Sequence, residues 1–160
     1  MEAGEKLNIS QTKDPDVFAE CAQLMSRSDP WITLGLTYEY CMKAFEGDFR
    51  EVFLEEYEKE LAGFVILQTQ GTFKGYIQTI FMKESRRGMG LGRKLIQFCE
   101  DRILEYSPNI FICVSSFNEG AAKLYEKLGY KRVGELEDFI KRGYVELLYR
   151  KTVGPIVGYI

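Results

Sequence analysis

The hydrophobic pattern of this chain changes period several times. Val17, Cys21, Leu24 and Met25 recur at three- and four-residue intervals, the spacing of a helix with one apolar face. Asp14-Pro15 marks its start, a capping aspartate with proline at the first helical position. Ser28-Asp29-Pro30 breaks it after about Arg27. Residues 7–10 ahead of it read as a short strand, and a second helical segment is predicted over residues 34–45, ended by Gly47.

The period then shortens to two. Arg50–Tyr57 alternates apolar and acidic positions, residues 61–69 form a β-branched and aromatic run, and Tyr76–Met82 follows a turn around Gly71. These predict three successive antiparallel strands. Helical spacing returns with Leu91, Leu95, Cys99 and Ile103, closed by Pro108. Residues 110–115 read as a buried strand. Asn118 caps a last helix with Ala121, Leu124, Tyr125 and Leu128 on one stripe and Gly129 at its end. Residues 130–139 and 144–151 read as a hairpin around Lys141-Arg142-Gly143. The order β-α-α-β-β-β-α-β-α-β-β predicts a mixed α/β (α+β) fold, a single sheet with helices on both faces. One domain is expected over residues 1–152. Residues 153–160, with Gly154, Pro155 and Gly158, are expected to form a loosely held tail.

Composition narrows the chemistry. The chain has 160 residues, the size of one domain, and no histidine. A Ser-His-Asp or Cys-His relay is therefore excluded, as is a His-ligated zinc site. Acids and bases must be Glu, Asp, Lys, Tyr, Cys or water. The net charge of -3 offers no global field for nucleic acid. Cys21, Cys41, Cys99 and Cys113 form no C-x-x-C pair, so no metal site is expected. Residues 1–10 carry Glu2, Glu5 and Lys6 without an apolar run, unlike a signal peptide, and no stretch is apolar enough to span a bilayer. A cytoplasmic protein with reduced thiols and no membrane partner is expected.

The segment Arg86-Arg87-Gly88-Met89-Gly90-Leu91-Gly92-Arg93-Lys94 lies between a predicted strand and a helix. Glycines let the backbone turn tightly and approach a ligand. A helix start presents unpaired N–H groups and the positive end of its dipole. From Lys83 to Lys94 five cationic residues stand against one anionic residue, a local charge of +4 in an acidic chain. This pattern points to an anion, most naturally a diphosphate. It is neither a P-loop nor the G-x-G-x-x-G of a dinucleotide fold.

These residues resemble the GNAT N-acetyltransferase superfamily. Its pattern [RQ]-x-x-G-x-[GA] is met by Arg87, Gly90 and Gly92. A second pattern, N-x-x-A-x-x-x-Y-x-x-x-G-[FY], is met by Asn118, Ala121, Tyr125, Gly129 and Tyr130. The resemblance implies a single GNAT-like domain, its sheet mostly antiparallel, with two strands splayed near Met82 and Ser115 to admit acetyl-CoA as acyl donor. It implies that the amides of Gly88, Met89, Gly90, Leu91, Gly92 and Arg93, with Arg87, hold the pyrophosphate. The backbone of Ile80, Phe81 and Met82 would pair with the pantetheine arm, which Asn118 would reach; Asn118 also reads as a plain helix cap. Tyr125 would be the general acid to the leaving thiolate, although helical spacing alone makes it a core aromatic.

Both positions at which relatives carry a basic glutamate hold other residues here, Tyr76 and Cys113. Glu56, Glu58, Glu137 and Asp138 remain as carboxylates that could polarise a water. The acceptor, a small-molecule or protein amine, is expected between the first two helices and the last hairpin, beside Trp31, Tyr38, Tyr76 and Tyr144. That region also holds Asp29, Thr33 and Phe139. Many relatives dimerise through C-terminal strands, so a homodimer is expected, with Ile156, Val157, Tyr159 and Ile160 as a local hint. The alternative is an acyl-CoA-binding sensor that has lost turnover.

Overall fold

The computed structural model describes residues 6–159. Glu2 and Glu5 of the N-terminal reading and Ile160 of the tail lie outside the described residues. Seven strands form one sheet in the order β1-β2-β3-β4-β5-β7-β6. The strands are β1 (Leu7–Thr12), β2 (Arg50–Tyr57), β3 (Glu60–Gln68), β4 (Tyr76–Met82), β5 (Asn109–Ser115), β6 (Lys131–Glu137) and β7 (Val145–Thr152). The helices are α1 (Pro15–Ser26), α2 (Tyr38–Lys43), α3 (Leu91–Leu104) and α4 (Glu119–Lys127). All pairings are antiparallel except β4 with β5. This is the expected mixed sheet with helices on both faces.

Alternation along the strands sorts side chains into two cores. One face carries Phe53, Val65, Leu67, Ile77, Ile112, Val114, Leu147 and Tyr149 against Leu95, Ile96, Cys99 and Ile103 of α3 and Tyr125 of α4. The other carries Val52, Phe64, Ile66 and Phe81 against Cys21, Ala22 and Met25 of α1 and Cys41 of α2. All four thiols are free; three are buried and Cys113 is half-buried.

The capping signals act as read. The Asp14 carboxylate accepts from the Asp16 amide, and the Asn118 side chain accepts from the Ala121 amide. The second helix differs from its predicted span: only Tyr38–Lys43 is helical. Ahead of it, Asp29 Oδ1 accepts from the Thr33 amide (3.0 Å) and hydroxyl (2.6 Å), and Gly35 takes φ +67°. Those contacts make a compact loop, and Thr37 caps the short helix after it. Leu34, the first residue of the predicted span, is buried from that loop instead.

The tail is fastened at two points. The Val153 amide donates to the Pro108 carbonyl, and the Tyr159 hydroxyl donates to the Leu104 carbonyl. Ile156 and Val157 stay exposed. No described helix is long and apolar enough to cross a membrane.

Candidate active site

The sheet is opened by design of its parallel pair. The β4–β5 ladder contains only Tyr76↔Phe111 and Ile77↔Ile112. Past them, β4 is paired on its β3 side alone and β5 on its β7 side alone. A wedge therefore begins between Gln78–Met82 and Cys113–Ser115, with unladdered backbone groups along both walls. A bulge sits where it begins: Leu67 pairs with Ile77 and Ile66 with Thr79, so Gln78 is the extra residue. The Gln78 side-chain Nε2 donates to the Ala44 carbonyl (3.1 Å), and its Oε1 accepts from Arg50 (2.9 Å). The bulge shifts the alternation, so Ile80 and Met82 join Ile77 on the α3 face while Phe81 lies on the α1 face.

The glycine turn stands at the open end of the wedge. After one 3₁₀ turn (Glu84–Arg86), Gly88 and Gly90 take φ +77° and +80°, and α3 starts at Leu91. These left-handed conformations are what the two glycines allow. Gly90 supplies no capping side chain, and no backbone amide from Gly88 to Arg93 donates to a protein acceptor among the described residues. A Cβ placed on Gly88, Gly90 or Gly92 would meet nothing within 4 Å, so the amides border open space. Not all of the local positive charge faces that space. Arg86 binds Glu60 (3.0 Å) and lies over the Tyr57 ring, and Lys94 is felt by the buried Glu55. Arg87 and Arg93 remain exposed at the turn.

Tyr125 lies on the α3/α4 side of the wedge. It is 4% exposed, packs edge-on against Tyr130 at 5.7 Å, and shares a cluster with Val114 and, at its margin, Ile80 and Met82. Burial raises the pKa of its phenol, and the Cys99 thiol adds to the effect. The hydroxyl thus stays protonated throughout the neutral range. No described residue forms a hydrogen bond with it. Asn118 follows β5 as the α4 cap, its side-chain oxygen 3.3 Å from the Ala121 amide.

The opposite face carries the expected acceptor groups, most of them together. Trp31 lies 6.2 Å from Phe81, the Tyr144 hydroxyl donates to the Thr33 carbonyl (3.4 Å), and Tyr144 meets Phe117 edge-on at 5.9 Å. The loop before α2 and the β6–β7 turn therefore touch. Tyr76 stands at the closed end of the wedge, near enough to the Cys113 thiol that the two groups influence each other. Tyr38, the first residue of α2, is exposed and makes none of these contacts. Asp29 is engaged by Thr33, and Phe139 is exposed near the hairpin turn.

The carboxylates expected to polarise water are elsewhere. Glu56 is on β2 and Glu137 on β6, each two strands from the wedge. Glu58 sits in the β2–β3 turn, 3.6 Å from Lys6, and Asp138 accepts from the Gly143 amide in the last turn. The residue missed from the sequence is Glu146 on β7. It is 5% exposed, and its Oε1 accepts from the Ser115 hydroxyl at 2.8 Å. Burial raises its pKa and the Ser115 bond opposes that. The available signal was a charged residue inside the apolar run Val145-Glu146-Leu147-Leu148. Among the described residues, no group of three or more Cys, Asp or Glu could hold a metal ion.

An open-edged wedge through the sheet, headed by unpaired amides and arginines, has the shape and charge of a slot for an extended molecule with an anionic head. The family model for the acetyltransferase (GNAT) family matches residues 18–130, and the chain belongs to that family. Its fold is similar to that of the ribosomal-protein-S18-alanine N-acetyltransferase from Escherichia coli. The two share 17% identity over 93% of this chain and 95% of that one, with a TM-score of 0.72. An aminoglycoside 6'-N-acetyltransferase complexed with coenzyme A gives 19% identity, 92% and 98% coverage, and 0.70. The yncA protein from Salmonella typhimurium with acetyl-CoA gives 13%, 97% and 98%, and 0.71.

Proposed function

We propose that this chain is an acetyl-CoA-dependent N-acetyltransferase acting on a primary amine by direct transfer. The observation that carries this reading is the β4–β5 ladder that stops after two pairs beneath an amide-lined helix start. Acetyl-CoA supplies an acyl group activated as a thioester. The amides of Gly88 to Arg93 and the Arg87 guanidinium would hold its pyrophosphate. The β4 backbone from Ile80 to Met82 would pair with the pantetheine arm, with Asn118 on the other wall. Tyr125, packed in one cluster with Val114 and, at its margin, Ile80 and Met82, would give its proton to the departing sulfur. The amine would enter from the Trp31 and Tyr144 side.

The test is release of free thiol from acetyl-CoA against a panel of amines, followed by mass spectrometry for the gain of one acetyl group. The panel includes an alanine-initiated peptide and an aminoglycoside, the acceptors named for two structural relatives, with lysine and free amino acids. Turnover on one class identifies the acceptor. The resemblance itself favours a second reading, an acyl-CoA-binding sensor: Tyr76 and Cys113 occupy the positions at which it implies a glutamate base in some members or others. Tight acetyl-CoA binding with no turnover on any amine would establish that sensor. A preference for ATP or NAD over acetyl-CoA in thermal stabilisation would defeat both.

A further inference from the structure

The proposed reaction leaves one proton without a destination, and the described face around Cys113 supplies one. We propose that Glu146 takes the proton from the acceptor amine. This inference rests on the acetyltransferase reading above.

Register places the carboxylate. Glu146 is paired with Ser115, three positions beyond Ile112, where the β4–β5 ladder ends. It therefore lies beside the open part of the wedge rather than its closed end. Alternation then decides the face. Leu147 belongs to the cluster that includes Tyr125, so Glu146 projects from the other face, as do Cys113 and Ser115 between Ile112, Val114 and the end of β5. That is the face of Trp31, Phe81 and Tyr144, from which the amine would enter.

The partners of Glu146 leave it able to act. Its Oε1 accepts from the Ser115 hydroxyl, which fixes the carboxylate's orientation. Its Oε2 has no hydrogen-bond partner among the described residues, and no described cation forms a salt bridge with it. A buried carboxylate without a cation is costly, and an arriving ammonium group would relieve that cost. The titratable groups that face it are Cys113 on β5 and Tyr76 on β4, both felt through its charge. These two residues occupy the usual glutamate positions. The carboxylate is thus displaced by one strand, from β5 to β7, and kept on the same face.

The balance is complete. The amine lone pair forms the C–N bond to the acyl carbon, and the C–S pair leaves with sulfur. The N–H proton passes to Glu146 Oε2, and sulfur takes the proton held by Tyr125. Both groups regain their starting states by exchange with water. Proton removal and delivery then occur on opposite faces of the sheet.

Two measurements test this. In the unliganded protein, iodoacetamide should alkylate Cys113, the one thiol that is not buried. Glu146→Gln should move that alkylation profile to lower pH, because a negative charge opposing the thiolate is gone. In turnover with whichever panel amine reacts, Glu146→Gln should lower kcat by ~100-fold or more, as expected for loss of a general base. Its acetyl-CoA affinity, measured by calorimetry, should be unchanged, and the acidic limb of the kcat profile should disappear. Glu146→Asp, which keeps the charge on a shorter arm, should retain part of the rate; if the Gln variant does not fold, a partial loss in Asp with an unchanged acetyl-CoA affinity carries the test. A Cys113 profile indifferent to Glu146, or wild-type kcat in the variants, overturns the assignment. Wild-type protein inactive on every amine instead overturns the reading it rests on.

Discussion

Glu55 sits inside this domain with neither carboxylate oxygen hydrogen-bonded, and that sets a measurable dependence of stability on pH. It lies on β2 between Ile9 of β1 and Gly63 of β3, on the face covered by α3, and is 0% exposed. Burial pushes its carboxyl from 4.5 up to about 7, and Lys94 opposes the rise. The proton is therefore held more tightly by the folded chain than by the unfolded one. Below 4.5 both states are protonated. Between 4.5 and about 7 only the folded state keeps the proton, so stability falls as pH rises, and it levels off above about 7. A difference of 7 − 4.5 = 2.5 at ~1.36 kcal/mol per pH unit gives about 3 kcal/mol. For a domain of this size that is roughly 6–12 °C in Tm. Glu55→Gln keeps the shape and removes the ionisation. Unfolding by urea at pH 5 and pH 8.5 should show the variant gaining about 2.5 kcal/mol on the wild type between the two, since part of the change already lies below pH 5. The fixed cost of a buried, unpartnered amide is the same at both pH values and cancels in that comparison. A gap between the two proteins that does not change with pH would refute the reasoning.

Three further outcomes follow from the same contacts. Tyr125→Phe should lower kcat while leaving acetyl-CoA affinity and Tm nearly unchanged, because the phenol's ring packs in the core and no described residue bonds its hydroxyl; equal kcat would remove it from the mechanism. Gly90→Ala forces a side chain into φ +80° and should cost about 1–2 kcal/mol of stability, with weaker coenzyme A binding by calorimetry. Lys151→Met strands Glu100, whose side chain is 7% exposed and held at 2.9 Å; the loss should be about 3–5 kcal/mol by chemical unfolding at pH 7, and unchanged stability would show that the pair contributes nothing.

Much of the fold was legible because local chemistry specified it. The strands Arg50–Tyr57 and Tyr76–Met82 match their predicted bounds, since Gly47 and Gly71 punctuate runs of period two. The glycine turn was legible because backbone at φ +77° and +80° calls for glycine whatever lies around it. The start of the second helix was not, because Asp29, Thr33 and Gly35 hold the preceding stretch in a loop through contacts that hydrophobic spacing does not register. The carboxylate near the wedge was hidden for a different reason. Whether Glu146 points to the core or to the acceptor side depends on the register of β7 against β5, and what lies beside it depends on where the β4–β5 ladder ends. Both are tertiary facts. The positions at which the resemblance places a glutamate hold Tyr76 on β4 and Cys113 on β5, two strands and one strand from Glu146 on β7.

The lack of histidine also takes on a structural meaning. A single imidazole can take a proton and return it within one site, so acid and base work can share a location. Without one, the two duties need groups of different ordinary pKa, and those groups need different surroundings. In the proposed arrangement the sheet provides that separation. Tyr125 is sealed among α3 and α4 side chains, which keeps its proton on until a thiolate appears. Glu146 stands on the other face of the sheet, hydrogen-bonded among the described residues only to Ser115 and with one oxygen uncommitted, which would let it accept. Placed on the same face, a carboxylate and a phenol would hydrogen-bond each other, and each would be unavailable for its own step. In that proposed arrangement a thioester lying in the plane of the sheet would meet them from opposite sides, and the opening where the β4–β5 ladder stops would both admit the donor and keep its acid apart from its base.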